Sequence, residues 1–214
     1  MFLSLDDDSV RVEVGLRLGV SLCSPFQCVC GLPVDSRGSH PLACIKSSGR
    51  QQRHAMLNNL ILHAFSRAGV PTIREPSGLI PASALRPDGS TVVPWQKGRC
   101  LAWDATCPDT LAPSNLAHST KGPSHMAEYA AQQKVLKYQQ LSSHSFVPLV
   151  IETLGAFNSD GLLLLNTLGS RLIAKTGDQR ERMFLYQRLS VAVQRGNAIC
   201  FFGSYHQDLF HKIQ

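Results

Sequence analysis

No stretch of the chain approaches the roughly 20 consecutive apolar residues needed to span a bilayer, and the longest candidate, GLLLLNTLG, is far too short. Positive charge is missing from the first ten residues. MFLSLDDDSV carries acids where a secretory leader carries Lys or Arg ahead of an apolar run. The expectation is an intracellular protein without membrane contact. A disulfide framework is also absent. There are 7 cysteines, an odd number, and four of them crowd between Cys23 and Cys44. No internal repeat is present, so a solenoid is not expected.

What remains is the composition of a globular chain, 43% hydrophobic and 17% charged in 214 residues. Lys and Arg number 21 against 15 Asp and Glu, a formal charge of +6. That balance favours an anionic partner without proving one.

Residues 1 to 22 contain VRVEVGLRLGV. Val10, Val12, Val14, Leu16 and Leu18 alternate as in a strand, while Val10, Val14 and Leu18 also fit a helix, so both remain open. Residues 23 to 49 are rich in Cys, Gly, Pro and Ser and have no period. Such a segment buries little and needs a staple to be ordered.

From residue 50 the pattern becomes regular. GRQQRHAMLNNLILHAFSRAG reads as an amphipathic helix stopped by Gly69 and Pro71. PTIREPSGLI, RPDGSTVVPW and CLAWDATC read as three strands, with the polar turn QKGR before the third. PSHMAEYAAQQKVLKYQQLS is helical, and FVPLVIETLG is a buried strand. Two helices follow, the first capped by Ser159 or Asp160. The order α, β, β, β, α, β, α, α implies an α+β fold, a mixed sheet between helices.

The staple has a candidate. Cys28, Cys30, His40 and Cys44 supply three thiolates and an imidazole, a set suited to a closed tetrahedral Zn²⁺ site. Gly31 and Gly38 permit the tight turns required. Cys23 is a fifth candidate able to replace Cys28. With four protein ligands such a zinc is structural, and its binding would supply folding energy.

Two acids form a second constellation. Asp104 lies inside an apolar strand, where an unpaired carboxylate is costly. If the hairpin is centred on Gln96, Asp88 and Asp104 face each other, with Cβ atoms about 5 Å apart. A shift of half a residue moves one of them off that face unless a bulge, for which Gly89 is suited, restores it. Together they could share a Mg²⁺. Glu75 is a possible third carboxylate. Lys134 and Lys137, three apart, share a helix face beside them. Arg50, Arg53, His54, Lys97 and Arg99 are candidate phosphate contacts. The bland alternatives are a turn for Asp88, a structural ion pair for Asp104 and a solvated face for the lysines. Glu152 is another acid in an apolar strand.

In combination, LDDDSVRVEVGLRLGV, the Cys/His cluster, GRQQRHAMLN, RPDG, LAWDATCPDT, AEYAAQQKVLKY, VPLVIETLG and QRLSVAVQRGN resemble the C-terminal part of non-LTR (LINE-type) retrotransposon reading frames. There a zinc knuckle precedes a restriction-like endonuclease of the PD-(D/E)xK class. The resemblance covers nearly the whole chain and implies three regions. Residues 1–22 end the region linked to the reverse transcriptase, 23–49 are the knuckle, and 50–214 are the nuclease, with an αβββαβ core and extra C-terminal helices. It implies Mg²⁺- (or Mn²⁺-) dependent nicking of target DNA in the nucleus, whose 3′ end primes reverse transcription, and element RNA as a further partner. Asp88 matches the PD aspartate, Asp104 the second acid, and Lys134 or Lys137 the lysine. Thr106 stands where the class usually has its lysine, and the polymerase part is absent from the chain. The alternatives are a nucleic-acid-binding module without cleavage and an inactive remnant.

Overall fold

The computed structural model describes residues 4–81 and 83–204. Among the described residues it is a mixed α/β protein with six helices, a four-stranded mixed sheet and a small two-stranded sheet. None of its helices is long and apolar enough to cross a membrane.

The ambiguous N-terminal run is a helix, α1 (Asp7–Leu18). Its ends explain the choice. Asp6 caps the start, accepting from the Ser9 N–H at 2.8 Å, Asp7 and Asp8 sit in the first turn, and Gly19 closes the end in the left-handed region at φ 65°. The buried stripe is Val12 and Leu16, whereas Val10, Val14 and Leu18 face solvent.

Residues 23 to 47 form a compact loop with the two-residue strands β1 (Phe26–Gln27) and β2 (Pro33–Val34), paired antiparallel. A 3-10 turn follows at His40–Leu42. Leu22 and Leu42 pack with Val12, Leu16, Ala198 and Phe201, so α1 and this loop share one apolar cluster with the last helix.

Helix α2 (Ser48–Arg67) buries Leu57, Ile61, Ala64 and Phe65 and stops at Gly69, φ 73°. The main sheet has strand order β3 (Thr72–Arg74), β4 (Gly89–Thr91), β5 (Leu101–Thr106), β6 (Ser145–Val150). The first three are antiparallel, and β6 runs parallel to β5. Between β5 and β6 come a short helix not foreseen from sequence, α3 (Leu116–Ser119), and α4 (His125–Lys137). Helices α5 (Ser159–Thr176) and α6 (Glu181–Phe202) complete the described chain.

Alternation along β5 sorts the layers. Leu101, Trp103 and Ala105 join the core with α2, α5 and α6. Ala102 packs with Tyr138, Leu141 and Ile80 on the α4 side. Asp104 therefore points toward α4.

Register decides where Asp88 goes. Lys97 and Gly98, at φ 49° and 72°, form a two-residue turn between Gln96 and Arg99. Continued without interruption, that turn would set Thr91 opposite Asp104 and put Asp88 on the wrong face. Instead, Val92 to Trp95 together oppose Cys100, and below this bulge Ser90 faces Ala102 and Gly89 faces Trp103. The pairing ends at Gly89, but one step further the same offset would bring Asp88 opposite Asp104, and the Asp88 carboxylate accepts from the adjacent Ala105 N–H. The bulge lies at Val92–Trp95 and not at Gly89, which is small for another reason: a Cβ there would lie 2.1 Å from the Trp103 indole. Thr91 pins the bulge, its hydroxyl accepting from Leu101 N–H at 3.0 Å and donating to Val93 O at 2.8 Å. Thr91→Val keeps the shape but strands both partners. It should cost about 1–3 kcal/mol in urea unfolding, and unchanged stability would refute the role.

Glu152 is explained without chemistry. It accepts the Ala127 N–H in the first turn of α4 at 2.9 Å and the Thr110 hydroxyl at 3.0 Å. Similarly, α5 is not capped by its own Ser159 or Asp160 side chain. Asn158 stands at the N-cap but clamps β6, and Glu128 from α4 accepts the Ser159 N–H at 2.6 Å.

Candidate functional site

Two clusters bear chemistry. In the first, Cys28, Cys30, His40 and Cys44 bring their four ligand atoms within 4.8 Å of one another and form a group able to hold a zinc ion. Cys28 and Cys44 sulfurs are 3.7 Å apart, and Cys30 Sγ is 3.2 Å from His40 Nε2. A tetrahedron with zinc–ligand bonds of about 2.0–2.3 Å separates its corners by about 3.3–3.8 Å, close to these two distances. Burial pushes the Cys28 thiol up, while the Leu32 backbone N–H, aided by His40, holds Cys30 below the usual thiol range. Cys23 lies outside the group, with its thiol on the Asp35 and Ser36 carbonyls at 3.5 and 3.7 Å.

The loop is fastened to the sheet by Arg53. This residue, expected to meet phosphate, is only 2% exposed. Its guanidinium donates to Asn197 Oδ1 at 2.6 Å, Leu42 O at 3.3 Å and Cys107 O at 3.4 Å. Arg53 is therefore structural. Arg99 likewise binds the Ser142 and His144 carbonyls, and Lys97 sits at the exposed hairpin tip.

The second cluster is the acid pair. Asp104 is 4% exposed. Its Oδ1 accepts from Lys134 Nζ at 2.5 Å and its Oδ2 from the Tyr138 hydroxyl at 2.5 Å, while Lys137 Nζ is 3.9 Å from Oδ2. Lys134 is thus the closer of the two lysines. Asp88 stands where β4 begins. Its Oδ2 takes the Ala105 N–H at 2.7 Å and meets His54 Nε2 at 3.1 Å. The two acids share a neighbourhood, because the partners of each feel both. The hydrogen bond to Asp88 and then the charges of Asp88 and Asp104 raise His54, against burial and Lys134. Burial first, then Asp104 and Asp88, raise the Tyr138 hydroxyl well above its usual range.

Glu75 touches this cluster only through its backbone. Its N–H donates to Asp88 O at 3.0 Å, while its carboxylate, 61% exposed, lies 3.8 Å from Arg74. Sequence reasoning missed Tyr138 and Asn58. The signal for Tyr138 was present, since it lies four residues after Lys134 on the same helix face. His54 was expected to contact phosphate and instead holds Asp88, with Asn58 Nδ2 3.2 Å from its Nε2.

The pair has a definite pH behaviour. Burial works to raise Asp88, but His54, Asn58 and the Ala105 N–H outweigh it and hold the carboxyl below its usual 3.8. The contribution of Asp88 is present above that value and lost as pH falls through the lowered one. The contribution of His54 is complete below 6.5 and lost as pH rises through its raised value. The pair is therefore fully formed between about pH 4 and 6.5. An NMR titration should place His54 above 6.5, and Asp88→Asn should lower it, because the hydrogen bond and the charge of Asp88 that raise it are lost. No change in Asp88→Asn would refute the pairing.

No protein-family model matches this chain, and no curated protein matches it significantly.

Proposed function

We propose that the chain is a divalent-metal-dependent DNA endonuclease that nicks one strand of target DNA, of the restriction-like type in non-LTR retrotransposon reading frames. The observation that carries this reading is that the Asp88 carboxylate reaches the backbone next to Asp104, at the Ala105 N–H, while Lys134 reaches Asp104 from α4. Apart from the four-residue α3, the element order α2, β3, β4, β5, α4, β6 agrees with the αβββαβ core of the PD-(D/E)xK class. Thr106 replaces the expected lysine, and Lys134 supplies an ammonium in its stead.

The donor set suits magnesium, which takes one or two carboxylates and keeps its remaining positions for water and phosphate oxygens. Asp88 and Asp104 would hold it. There it would act as a Lewis acid on the scissile phosphate and lower the pKa of water. The protein's own groups do the rest. Tyr138 fixes the Asp104 carboxylate, and the Ala105 N–H and His54 fix that of Asp88. The Lys134 ammonium orients the attacking water and offsets charge that builds on the phosphorus oxygens.

The double neutralisation of Asp104 by lysines favours a second reading, an inert ion pair in a DNA-binding module. Supercoiled plasmid separates the two. The endonuclease converts it to open circles in Mg²⁺ or Mn²⁺ and not without added metal. Binding without conversion, or conversion that is equal in Asp104→Asn, defeats the proposal.

A further inference from the structure

The ladder between β4 and β5 ends at Gly89, so Asp88 lies beyond it and depends on other ties. Some act on the residue itself. Glu75 N–H donates to its carbonyl at 3.0 Å, and the Ala105 N–H and His54 meet its carboxylate at 2.7 and 3.1 Å. The chain just ahead of it has less to hold it. Residues 83–87 belong to no helix or strand, and Pro87 has no N–H to offer.

Tyr138, at the C-cap of α4, reaches that chain. Its hydroxyl lies 2.7 Å from Arg86 O, two residues before Asp88, and 2.5 Å from Asp104 Oδ2. Both partners are acceptors and a phenol carries one hydrogen, so the two share it. The ring behind the hydroxyl is held firmly. It is 2% exposed, packs with Ile80, Ala102 and Leu141, and lies 4.6 Å from the Phe146 ring. A fixed phenol that touches both Asp104 and the approach to Asp88 sets how far apart the two segments stand. Sites that must share one ligand tolerate little error in that spacing, about 0.5 Å.

We propose that Tyr138 is a positioning residue for the acid pair: its hydroxyl ties the Arg86–Pro87 segment to Asp104 and so keeps Asp88 close enough to share a cation with it. The cation rests on the endonuclease reading, and the tie does not. Tyr138→Phe removes the hydroxyl and keeps the ring packing, so folding should survive. Amide hydrogen exchange is followed by NMR on the full chain without added magnesium or manganese. The Ala105 and Glu75 amides, both bonded to Asp88, should exchange about tenfold faster in Tyr138→Phe, as the loss of one hydrogen bond implies. The Leu101 amide, bonded to the Thr91 hydroxyl, should stay at its wild-type rate.

Tyr186→Phe is the control. Its hydroxyl bonds Leu162 O at 3.3 Å on the far side of the core, and its loss should change neither Asp88-bonded amide. In parallel, Mn²⁺ should bind about tenfold more weakly to Tyr138→Phe, while nicking at saturating metal stays near wild type, a split that general loosening of the fold does not produce. Wild-type exchange at both amides in Tyr138→Phe, or equal acceleration at Leu101, overturns the positioning role. Faster exchange at those amides in a protein whose wild type binds no Mn²⁺ defeats only the endonuclease reading. A wild type that binds Mn²⁺ and nicks, with exchange unmoved in Tyr138→Phe, defeats only the tie.

Discussion

Cys44→Ala is expected to release zinc and to destabilise the protein by at least about 3 kcal/mol. The loop has almost no core of its own: Cys28, Val34 and Cys44 form its one small buried cluster, and its strands are two residues long. A segment of that kind cannot offset the entropy of ordering its backbone by burial alone. Structural zinc contributes about 10–16 kcal/mol of apparent free energy in isolated zinc-finger peptides. Only part of that should appear here, because Leu22 and Leu42 also dock on α6. The damage spreads, since a melted loop removes the Leu42 carbonyl from buried Arg53 and the Cys44 carbonyl from the start of α2. Cys23→Ala should keep one zinc per chain, because its thiol sits on carbonyls outside the group. Metal analysis with urea unfolding decides the matter. Full zinc content and wild-type stability in Cys44→Ala would remove the staple from the account.

Asp104→Asn should lower Mg²⁺-dependent nicking by about a thousandfold or more, as expected when several kcal/mol of transition-state charge stabilisation is lost. The amide keeps the shape and still accepts from Tyr138, so folding should survive. Lys134→Ala should cost about a hundredfold or more, because its ammonium is 2.5 Å from Asp104. Lys137→Ala should cost less than about tenfold, its nitrogen being 3.9 Å away and its side chain 43% exposed. Glu75→Ala should lie near wild type, with its carboxylate turned to solvent. An inverted order of the two lysines would mean that the geometry around Asp104 has been misassigned.

Much of this arrangement was legible in sequence because it follows from local rules. Helix α2 announced itself by apolar steps of three and four and a terminal Gly69. The candidate zinc ligands were readable because soft side chains cluster where no core can form. The facing of Asp88 and Asp104 was readable only as a condition on register. The two-residue turn at Lys97–Gly98 alone breaks that condition, and the Val92–Trp95 bulge restores it. Pattern alone does not place such a bulge, because it depends on Thr91 bonding across it.

Long-range partners account for the other differences. The helix α1 stripe was misplaced because alternating valines carry both periods until a cap chooses. Arg53 looked like a surface cation, yet Asn197 and two carbonyls distant in sequence hold it inside. Glu152 looked like a second embedded acid and turned out to cap α4. Tyr138 shares the helix face of Lys134, but its role depends on Asp104 lying across from it on β5, which local pattern does not place.

The most direct measurement is Mn²⁺ binding to the zinc-loaded protein, followed by electron paramagnetic resonance. The account predicts one additional Mn²⁺ site in the wild type, lost in Asp88→Asn and in Asp104→Asn and competed by Mg²⁺. Absence of that site, or its persistence unchanged in both variants, would contradict the claim that the two carboxylates hold one divalent cation.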